Sequence, residues 1–211
     1  QRVQGVIETI EPHDSPERFT SLGVTCVSGS ARLISPYEVE VDGKIITTES
    51  IVIASGARPF VPHVPGLADI DYLTSDNVWS LTELPPRLLV VGGGPIGCEL
   101  AQAFSHLGSK VTQVDMAARI MPREDEDVSA AVSARFLEHG IDLLTGHKLL
   151  KFETVDGEHF MEAEHEGSTV RIAFDKVLLA IGRKANTEDF GLEEIGVALT
   201  PQGTIEVNEY L

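Results

Sequence analysis

Three glycines, Gly92, Gly94 and Gly97, have the GxGxxG spacing with which a backbone turn can hold a pyrophosphate. Gly92 permits a tight turn off a strand, Gly94 leaves no Cβ where the phosphates must approach, and Gly97 lets helix and strand pack closely. An apolar strand at residues 88–91 precedes them, and a helix to about His106 follows. The helix N-terminus offers N–H groups and a partial positive charge to an anion. The pattern therefore predicts a dinucleotide-binding turn.

Two residues between these glycines complete the predicted site. Pro95 suits the first position of a helix, where its missing N–H is not needed. Ile96 begins an apolar helix face that continues at helical spacing through Leu100, Ala103 and Leu107. Pro95 and Ile96 are therefore predicted cofactor-binding residues together with the glycines.

Asp115 follows the next expected strand, residues 110–114, and lies 18 residues after Gly97. A carboxylate at this position can accept hydrogen bonds from both hydroxyls of an adenosine ribose. The same charge would repel a 2′-phosphate. Asp115 therefore favours NAD over NADP as the cofactor.

From residue 87 onward, strands and helices alternate along the chain. The expected buried strands are residues 88–91, 110–114, 141–144 and 177–181, and residues 148–174 should form three antiparallel strands. A second helix is expected over residues 125–139, with four apolar side chains turned inward: Val128, Ala131, Val132 and Phe136. This order predicts an α/β fold, a Rossmann-like, doubly wound parallel sheet with an antiparallel β-meander.

Residues 1–58 are expected to be rich in β-structure. Short alternating or β-branched stretches predict strands at residues 24–27, 37–41 and 44–48, and the apolar run at residues 51–54 predicts a strand buried on both faces. Five prolines within residues 59–86 predict a linker with one short helix around residues 75–80.

The composition limits the partners of the chain. There are 16 Lys and Arg against 33 Asp and Glu, a net charge of −17, which argues against binding to nucleic acid or to an anionic membrane. No apolar run approaches the roughly 18 residues of a membrane span. Cys26 and Cys98 are far apart and the seven histidines are scattered, so we expect no metal site and a reduced, cytoplasmic protein. The first residue is Gln1 and not an initiator Met, so we expect a longer or trimmed protein.

Four stretches of the sequence carry a resemblance to a known family. They are IASGARP at residues 53–59, VGGGPIGCELA at 91–101, RIMPRED at 119–125 and AIGRKANT at 180–187, the last with Ala185 where Pro is usual. On these motifs the chain resembles the flavoprotein pyridine nucleotide–disulfide oxidoreductases, which include dihydrolipoamide dehydrogenase, mercuric reductase and glutathione reductase. The resemblance covers essentially the whole chain.

The resemblance implies a domain map and further site residues. Residues 1–67 would be the C-terminal part of an FAD-binding domain, residues 68–187 an NAD-binding domain, and residues 188–211 a return toward the FAD domain. Glu99 would act near the flavin–nicotinamide contact, and Gly182 would approach the nicotinamide nucleotide. Four residues would lie near FAD: Ala31, Ser55, Gly56 and Arg183. The full-length protein would bind FAD and form a homodimer.

The activity that the resemblance implies is that of an FAD-dependent NAD(P)H oxidoreductase. Such an enzyme passes a hydride from NAD(P)H to the flavin and on to a disulfide or related acceptor. The chain lacks the family's first GxGxxG turn for FAD, its CxxxxC redox pair and its C-terminal interface domain. Neither Cys26 nor Cys98 can replace that pair, so the chain alone is expected to be inactive. Lipoamide, glutathione and mercuric ion all remain open as the acceptor.

Two alternatives also remain open. NADP-dependent glutathione reductases carry arginines just after the second strand, where Met116 and Pro122 stand here, but the nearby Arg119 and Arg123 could still reach a 2′-phosphate. Alternatively, the chain is a stand-alone NAD-binding regulatory or sensor module without catalysis. A second glycine turn followed by CxxxxC upstream of Gln1 would favour the enzyme.

Overall fold

The computed structural model describes residues 2–210, which form two compact units. The first unit runs to Arg58 and resumes at Lys184, and the second unit is Pro59–Arg183. These boundaries lie near, but not at, the expected domain limits at residues 67 and 187. The assignment of the units to FAD and NAD binding stays a prediction. Within residues 2–210, no helix is long and apolar enough to cross a membrane.

The first unit contains two short helices and a three-stranded antiparallel sheet. The helices are α1 (Arg2–Ile10) and α2 (Pro16–Ser21), and the strands are β1 (Ala31–Ser35), β2 (Glu38–Val41) and β3 (Lys44–Thr47), in the order β1-β2-β3. A turn at Asp42 and Gly43, both with positive φ, joins β2 to β3. The strands expected at residues 37–41 and 44–48 are therefore confirmed. A short strand, β4 (Ala57–Pro59), stands where the chain passes to the second unit.

Three expectations for residues 1–58 are wrong. Residues 2–21 are largely helical rather than β-structure. Residues 24–27 and 51–54 form no strand. Val52 is 89% exposed, because no strand of the described chain lies beside this run to bury it or to share its hydrogen bonds.

The second unit contains the expected alternation of strands and helices. Its strands are β5 (Tyr72–Leu73), β6 (Arg87–Val91), β7 (Lys110–Val114), β8 (Asp142–Leu144), β9 (Lys148–Val155), β10 (Glu158–His165), β11 (Ser168–Phe174) and β12 (Lys176–Leu179), and its helices are α3 (Pro95–Leu107) and α4 (Glu126–Glu138). The predicted elements from residue 87 onward are therefore confirmed to within two residues at each end. The helix expected around residues 75–80 is a 3-10 turn, Val78–Ser80. A last strand, β13 (Arg183–Ala185), pairs with β4 where the chain returns.

Five strands form a parallel sheet in the order β5-β12-β6-β7-β8. Helix α3 connects β6 to β7 and α4 connects β7 to β8, after which the chain crosses back and β12 pairs on the other side of β6. Strands β9, β10 and β11 form the predicted antiparallel meander. The α/β, Rossmann-like fold is therefore confirmed. Its strand order reverses between β6 and β12, and in such sheets ligands bind beyond the carboxyl ends of the strands at that point.

Alternate residues of β6 are buried on opposite faces of the parallel sheet. Leu89 and Val91 pack toward the meander, in a cluster that includes Met161. Leu88 and Val90 pack toward α3 and α4. All four β6 residues are at most 4% exposed. The strand that leads into the glycine turn is thus fixed by core packing on both sides.

The buried face of α3 differs in part from the expected one. Ala103 and Leu107 are exposed, which corrects the predicted apolar face. The buried residues lie instead near the start of the helix: Gly97, Cys98, Leu100 and Ala101. Helix and strand are therefore closest where the helix begins, beside the glycine turn.

The buried face of α4 also differs from the expected one. Val128 and Ala131 are exposed, whereas Phe136 is buried as predicted and Val132 is half-buried. The other buried residue is Ser129, whose Oγ donates a hydrogen bond of 2.7 Å to the carbonyl oxygen of Ile120. The buried face of α4 thus includes a polar serine, and a pattern of apolar residues cannot predict a buried position that a polar residue occupies.

Candidate dinucleotide-binding site

The glycine turn follows β6 at the point where the strand order reverses. Gly92 has φ +118°, which side chains rarely adopt, and a Cβ there would stand 2.2 Å from the carbonyl oxygen of Ala180. A Cβ on Gly97 would stand 2.2 Å from the carbonyl oxygen of Gly92. The protein's own packing therefore requires glycine at both positions.

Gly94 differs from the other two glycines of the motif. Its φ is −77°, which any residue adopts, and a Cβ there would meet no atom within 4 Å. Packing within the protein does not explain a glycine at this position. An open α-carbon at the start of α3 instead leaves room for a ligand to approach the backbone.

The first turn of α3 presents unused hydrogen-bond donors. The N–H of Cys98 makes the first bond of the helix, to the carbonyl oxygen of Gly94 at 3.0 Å. Within residues 2–210, the N–H groups of Gly94, Ile96 and Gly97 have no hydrogen-bond acceptor. Pro95, at the first helical position, has no N–H to satisfy. These donors, together with the dipole of α3, suit an anion such as a phosphate group.

Asp115 lies directly after β7, with its carboxylate against the glycine turn. Its Oδ2 accepts a hydrogen bond from the N–H of Gly93 at 2.5 Å, and its Oδ1 accepts one from the N–H of Ala117 at 2.6 Å. The N–H of Asp115 itself donates to the carbonyl oxygen of Leu144 at 3.0 Å. An ionised carboxylate has about four acceptor positions, so roughly two remain for ligand hydroxyls. The structure thus brings the predicted acid and the predicted turn together.

The two arginines that could bind a 2′-phosphate have different surroundings. The guanidinium of Arg119 donates to three main-chain carbonyl oxygens of the loop before α4, at 2.9 to 3.4 Å. Those contacts hold Arg119 to its own loop. Arg123 is exposed, and so is Met116, which follows Asp115 directly and is 74% exposed.

A polar residue outside the motif lies beneath the turn. Gln113 of β7 is fully buried, and its Nε2 donates to the carbonyl oxygen of Gly92 at 2.9 Å and lies 3.6 Å from Sγ of Cys98. Burial raises the pKa of the Cys98 thiol, which therefore stays protonated and can donate to the carbonyl oxygen of Gly93 at 3.4 Å. Gln113 was not identified from the sequence. The signal that could have identified it is a polar glutamine within a strand that is predicted to be buried.

Three further predicted site residues belong to the second unit. Glu99 is exposed in α3. Gly182 is exposed with φ +128°, and its carbonyl oxygen accepts a hydrogen bond from the N–H of Phe60 at 3.0 Å. The guanidinium of Arg183 donates to Oγ of Ser75 at 3.1 Å. Their roles toward nicotinamide and flavin stay predictions.

The remaining predicted site residues belong to the first unit. Ala31 begins β1 and is exposed. Ser55 donates through Oγ to the carbonyl oxygen of Asn186 at 2.6 Å, and the carbonyl oxygen of Gly56 accepts from the N–H of Asn186 at 3.0 Å. Ser55 and Gly56 thus attach two segments of this unit to each other. Their expected proximity to FAD stays a prediction.

Cysteines and other metal-binding side chains do not cluster in the part of the chain that the structure describes. Cys26 is exposed and Cys98 is buried, and both are free thiols. Among residues 2–210, no group of three or more His, Cys, Asp and Glu side chains could hold a metal ion.

Proteins of known activity resemble this chain along its length. A mercuric reductase from Staphylococcus aureus is 35% identical over 211 residues, which cover 100% of this chain and 39% of that protein. A dihydrolipoyl dehydrogenase from Thermus scotoductus is 36% identical over 194 residues, which cover 88% of this chain and 41% of that protein. The solved structure of the HOCl-induced flavoprotein disulfide reductase RclA from Escherichia coli matches with a TM-score of 0.84 at 28% identity, over 98% of this chain and 48% of that one.

The chain spans about two fifths of the length of these two relatives. Residues 13–211 match the family described as pyridine nucleotide-disulphide oxidoreductase. The glycine turn, Asp115 and the Rossmann-like sheet around them agree with that match, and the resemblance expected from the sequence motifs is confirmed. The chain belongs to the pyridine nucleotide-disulphide oxidoreductase family.

Proposed function

We propose that the second unit binds a nicotinamide dinucleotide, with NAD(H) preferred to NADP(H), as the nucleotide-binding portion of an FAD-dependent oxidoreductase. One observation carries the proposal: the open α-carbon of Gly94, the unused N–H donors of α3 and the carboxylate of Asp115 meet around one turn. A pyrophosphate and an adjacent ribose diol need donors and acceptors in this combination.

The N–H groups of the turn and the carboxylate of Asp115 would bind two different parts of the dinucleotide, the pyrophosphate and the adenosine ribose. The N–H groups of Gly94, Ile96 and Gly97 would donate to the pyrophosphate oxygens, which gain in addition from the positive end of α3. Asp115, already held by Gly93, would accept from the hydroxyls of the adenosine ribose. An ionised acid at that position disfavours a further phosphate on the ribose, because two negative charges would be brought together.

The preference for NAD(H) also rests on the loop after β7. Arg119 is held by main-chain carbonyl groups of its own loop, and the side chain beside Asp115 is the apolar Met116. Of the two arginines, only Arg123 is then left to reach a 2′-phosphate. A single exposed arginine binds a phosphate more weakly than a bidentate or paired arrangement does.

The bound dinucleotide supplies a hydride, and in the complete enzyme that hydride would pass to FAD and on to a disulfide or related acceptor. Glu99 would lie at the flavin–nicotinamide contact, and Gly182 would approach the nicotinamide nucleotide. Ala31, Ser55, Gly56 and Arg183 would lie near FAD. Because Cys98 is buried and Cys26 stands alone in the first unit, neither would form the redox pair, and this chain by itself would not reduce a disulfide. We also propose a homodimeric, cytoplasmic enzyme for the full-length protein.

Titration of the 211-residue chain with NADH and with NADPH, followed by nicotinamide fluorescence, tests the proposal. NADH should bind more tightly than NADPH. An Asp115→Asn variant keeps the shape and removes the charge, so it should weaken NADH binding and reduce the preference over NADPH. Tighter binding of NADPH to the parent would overturn the role of Asp115. Binding of neither dinucleotide would contradict the proposed site itself.

A further inference from the structure

Gln113 places an uncharged polar group in the core between β7 and α3. It lies two residues after Val111 in the strand, and both side chains are buried to 1% exposure or less. The hydrophobic cluster on this face of the sheet includes Val111, Cys98 and Leu100. The carboxamide of Gln113 points to the turn, where its Nε2 donates to the carbonyl oxygen of Gly92 at 2.9 Å.

Strand β7 holds both main-chain polar groups of Gly92. The N–H of Gly92 donates to the carbonyl oxygen of Val114 at 2.8 Å, as in a continued parallel ladder. At φ +118° the chain leaves the sheet, and no main-chain N–H of the described residues donates to the Gly92 carbonyl oxygen. Gln113 supplies the missing donor from its side chain. The Gly92 carbonyl oxygen is therefore held by the side chain of Gln113.

The next carbonyl group of the turn is held in the same way. The oxygen of Gly93 accepts a hydrogen bond from the N–H of Met121 at 2.6 Å and one from Sγ of Cys98 at 3.4 Å. Both carbonyl oxygens thus have partners inside the protein, while the N–H groups of Gly94, Ile96 and Gly97 have none within residues 2–210. A phosphate is repelled by carbonyl oxygens and attracted by N–H groups, so this division favours its binding.

The arrangement carries a cost in stability. Oε1 of Gln113 is buried and has no hydrogen-bond partner among the described residues. Such an acceptor loses its hydration without compensation and destabilises the folded state. A methionine of similar length would fill the same space and remove this oxygen, but it would leave the Gly92 carbonyl oxygen without a donor. Glutamine and methionine thus each leave one buried oxygen unsatisfied, and stability alone does not explain a glutamine at this position.

We propose that Gln113 is a positioning residue of the dinucleotide site, which directs the Gly92 carbonyl away from the bound pyrophosphate. The inference rests on the proposed function, because it concerns the affinity of the same turn for NADH. It assigns a role to a residue outside the GxGxxG motif, acting through Gly92 and not by contact with the ligand.

A Gln113→Met variant of the 211-residue chain separates this role from a structural one. Its melting temperature should stay close to that of the parent, because removal of the unsatisfied Gln113 oxygen offsets the loss of the donor to the Gly92 carbonyl oxygen. Its Kd for NADH should rise about five- to tenfold, as loss of one such interaction allows. A Val111→Ala variant is the control on the same face of β7. It should lower the melting temperature and leave the Kd for NADH within twofold of the parent.

A Gln113→Glu variant tests whether a donor toward Gly92 is what matters. A buried carboxyl resists ionisation, so at about pH 6 its O–H can donate to the Gly92 carbonyl and should restore parent-like affinity. As the pH rises and the carboxyl ionises, the affinity relative to the parent should fall, whereas the Gln113→Met variant should show a constant deficit.

The outcomes separate the two proposals. A parent chain that does not bind NADH overturns the proposed function, and the role of Gln113 with it. A parent that binds NADH while Gln113→Met binds equally well overturns the positioning role alone. So does a Gln113→Met variant that loses stability and affinity together, if Gln113→Glu gives no recovery at low pH.

Discussion

Gly94 and Gly97 lie three residues apart in one motif, yet the space around their α-carbons is opposite. A Cβ on Gly97 would overlap the Gly92 carbonyl oxygen, whereas a Cβ on Gly94 would point into a space with no protein atom within 4 Å. Packing within the protein therefore explains Gly97, whereas Gly94 needs a ligand to explain it. Substitution can separate these two causes, because only one of them acts in the free protein.

A Gly94→Ala variant should keep its stability and lose affinity for NADH. Alanine adopts φ −77° without strain and restricts the unfolded chain, which offsets the small loss of a preferred residue at the helix N-cap. We expect the free energy of unfolding to change by less than about 1 kcal/mol. The added methyl group would meet the approaching pyrophosphate, and we expect the Kd for NADH to rise at least about tenfold. Urea unfolding and NADH titration measure the two effects.

The matched variant is Gly97→Ala, whose added Cβ must displace main-chain atoms. It should lose about 2 kcal/mol or more of stability in the absence of any ligand. If Gly94→Ala were destabilised as much as Gly97→Ala, packing would explain both glycines. If Gly94→Ala bound NADH as the parent does, the pyrophosphate would not approach that α-carbon.

At the scale of the elements, Arg87 links the start of β6 to the meander and to β12. Its guanidinium donates to Oδ1 of Asp175 at 2.6 and 3.1 Å and to Glu158 at 2.6 Å, and its main-chain N–H donates to Oδ2 of Asp175 at 2.8 Å. The Arg87 guanidinium holds the pKa of the Asp175 carboxyl below its usual value. One ion-pair cluster therefore joins the start of β6 to residues that lie 71 and 88 positions later in the chain.

Asp175→Asn should destabilise the chain more at neutral pH than in acid. A carboxyl whose pKa is lowered by folding stabilises the protein above its unfolded pKa of about 3.9 and loses that contribution as the pH falls through the folded value. Because the pair is about one-third exposed, solvent screening limits the expected loss at pH 7 to about 1 kcal/mol. Urea unfolding of both proteins at about pH 7 and about pH 3 checks this. An equal difference at both pH values would show that the charge of Asp175 is not the cause.

The sequence predicted the second unit well because its signals are local. Strand β6, the glycine turn and α3 are each encoded within a few residues, and so is the acid that ends β7. Residues 148–174 alternate and turn at Asp156 and Gly157, both with positive φ in the structure. The glycine turn and Asp115 were therefore identifiable in advance, whereas the hydrogen bond from Gly93 to the Asp115 carboxylate is known only from the structure.

Other features depend on partners that a pattern does not contain. The run at residues 51–54 has the composition of a buried strand, but burial requires neighbouring strands, which it lacks in the described chain. The error in α1 has a different cause, because the helical signal was in the sequence. The apolar residues of α1 follow the spacing i, i+3, i+4, i+7, at Val3, Val6, Ile7 and Ile10. Ser129 and Gln113 are buried and donate to carbonyl groups 9 and 21 residues away, and hydrophobic periodicity carries no information about such bonds.

At the scale of the whole molecule, the charge of the chain opposes the ligand that its turn is built to hold. The net charge is −17, so the long-range field repels an anionic dinucleotide. The attraction must come from N–H groups and the dipole of α3, which act over one helical turn. These two contributions respond differently to salt, because screening reduces long-range repulsion between exposed charges more than it reduces short-range hydrogen bonding.

Raising the ionic strength should therefore strengthen NADH binding. Between about 20 and 200 mM NaCl the screening length falls from roughly 20 Å to roughly 7 Å, which removes most of the repulsion from distant carboxylates and leaves the bonds at the turn. We expect the Kd for NADH to fall a few-fold, measured by titration at constant pH. A Kd that rises with salt would show that a cationic side chain dominates the binding, and Arg123 would be the first residue to replace. The same titration with NADPH distinguishes binding by the N–H groups of the turn from binding by an arginine. An arginine should bind the additional phosphate, so the affinity for NADPH should then fall more steeply with salt than the affinity for NADH.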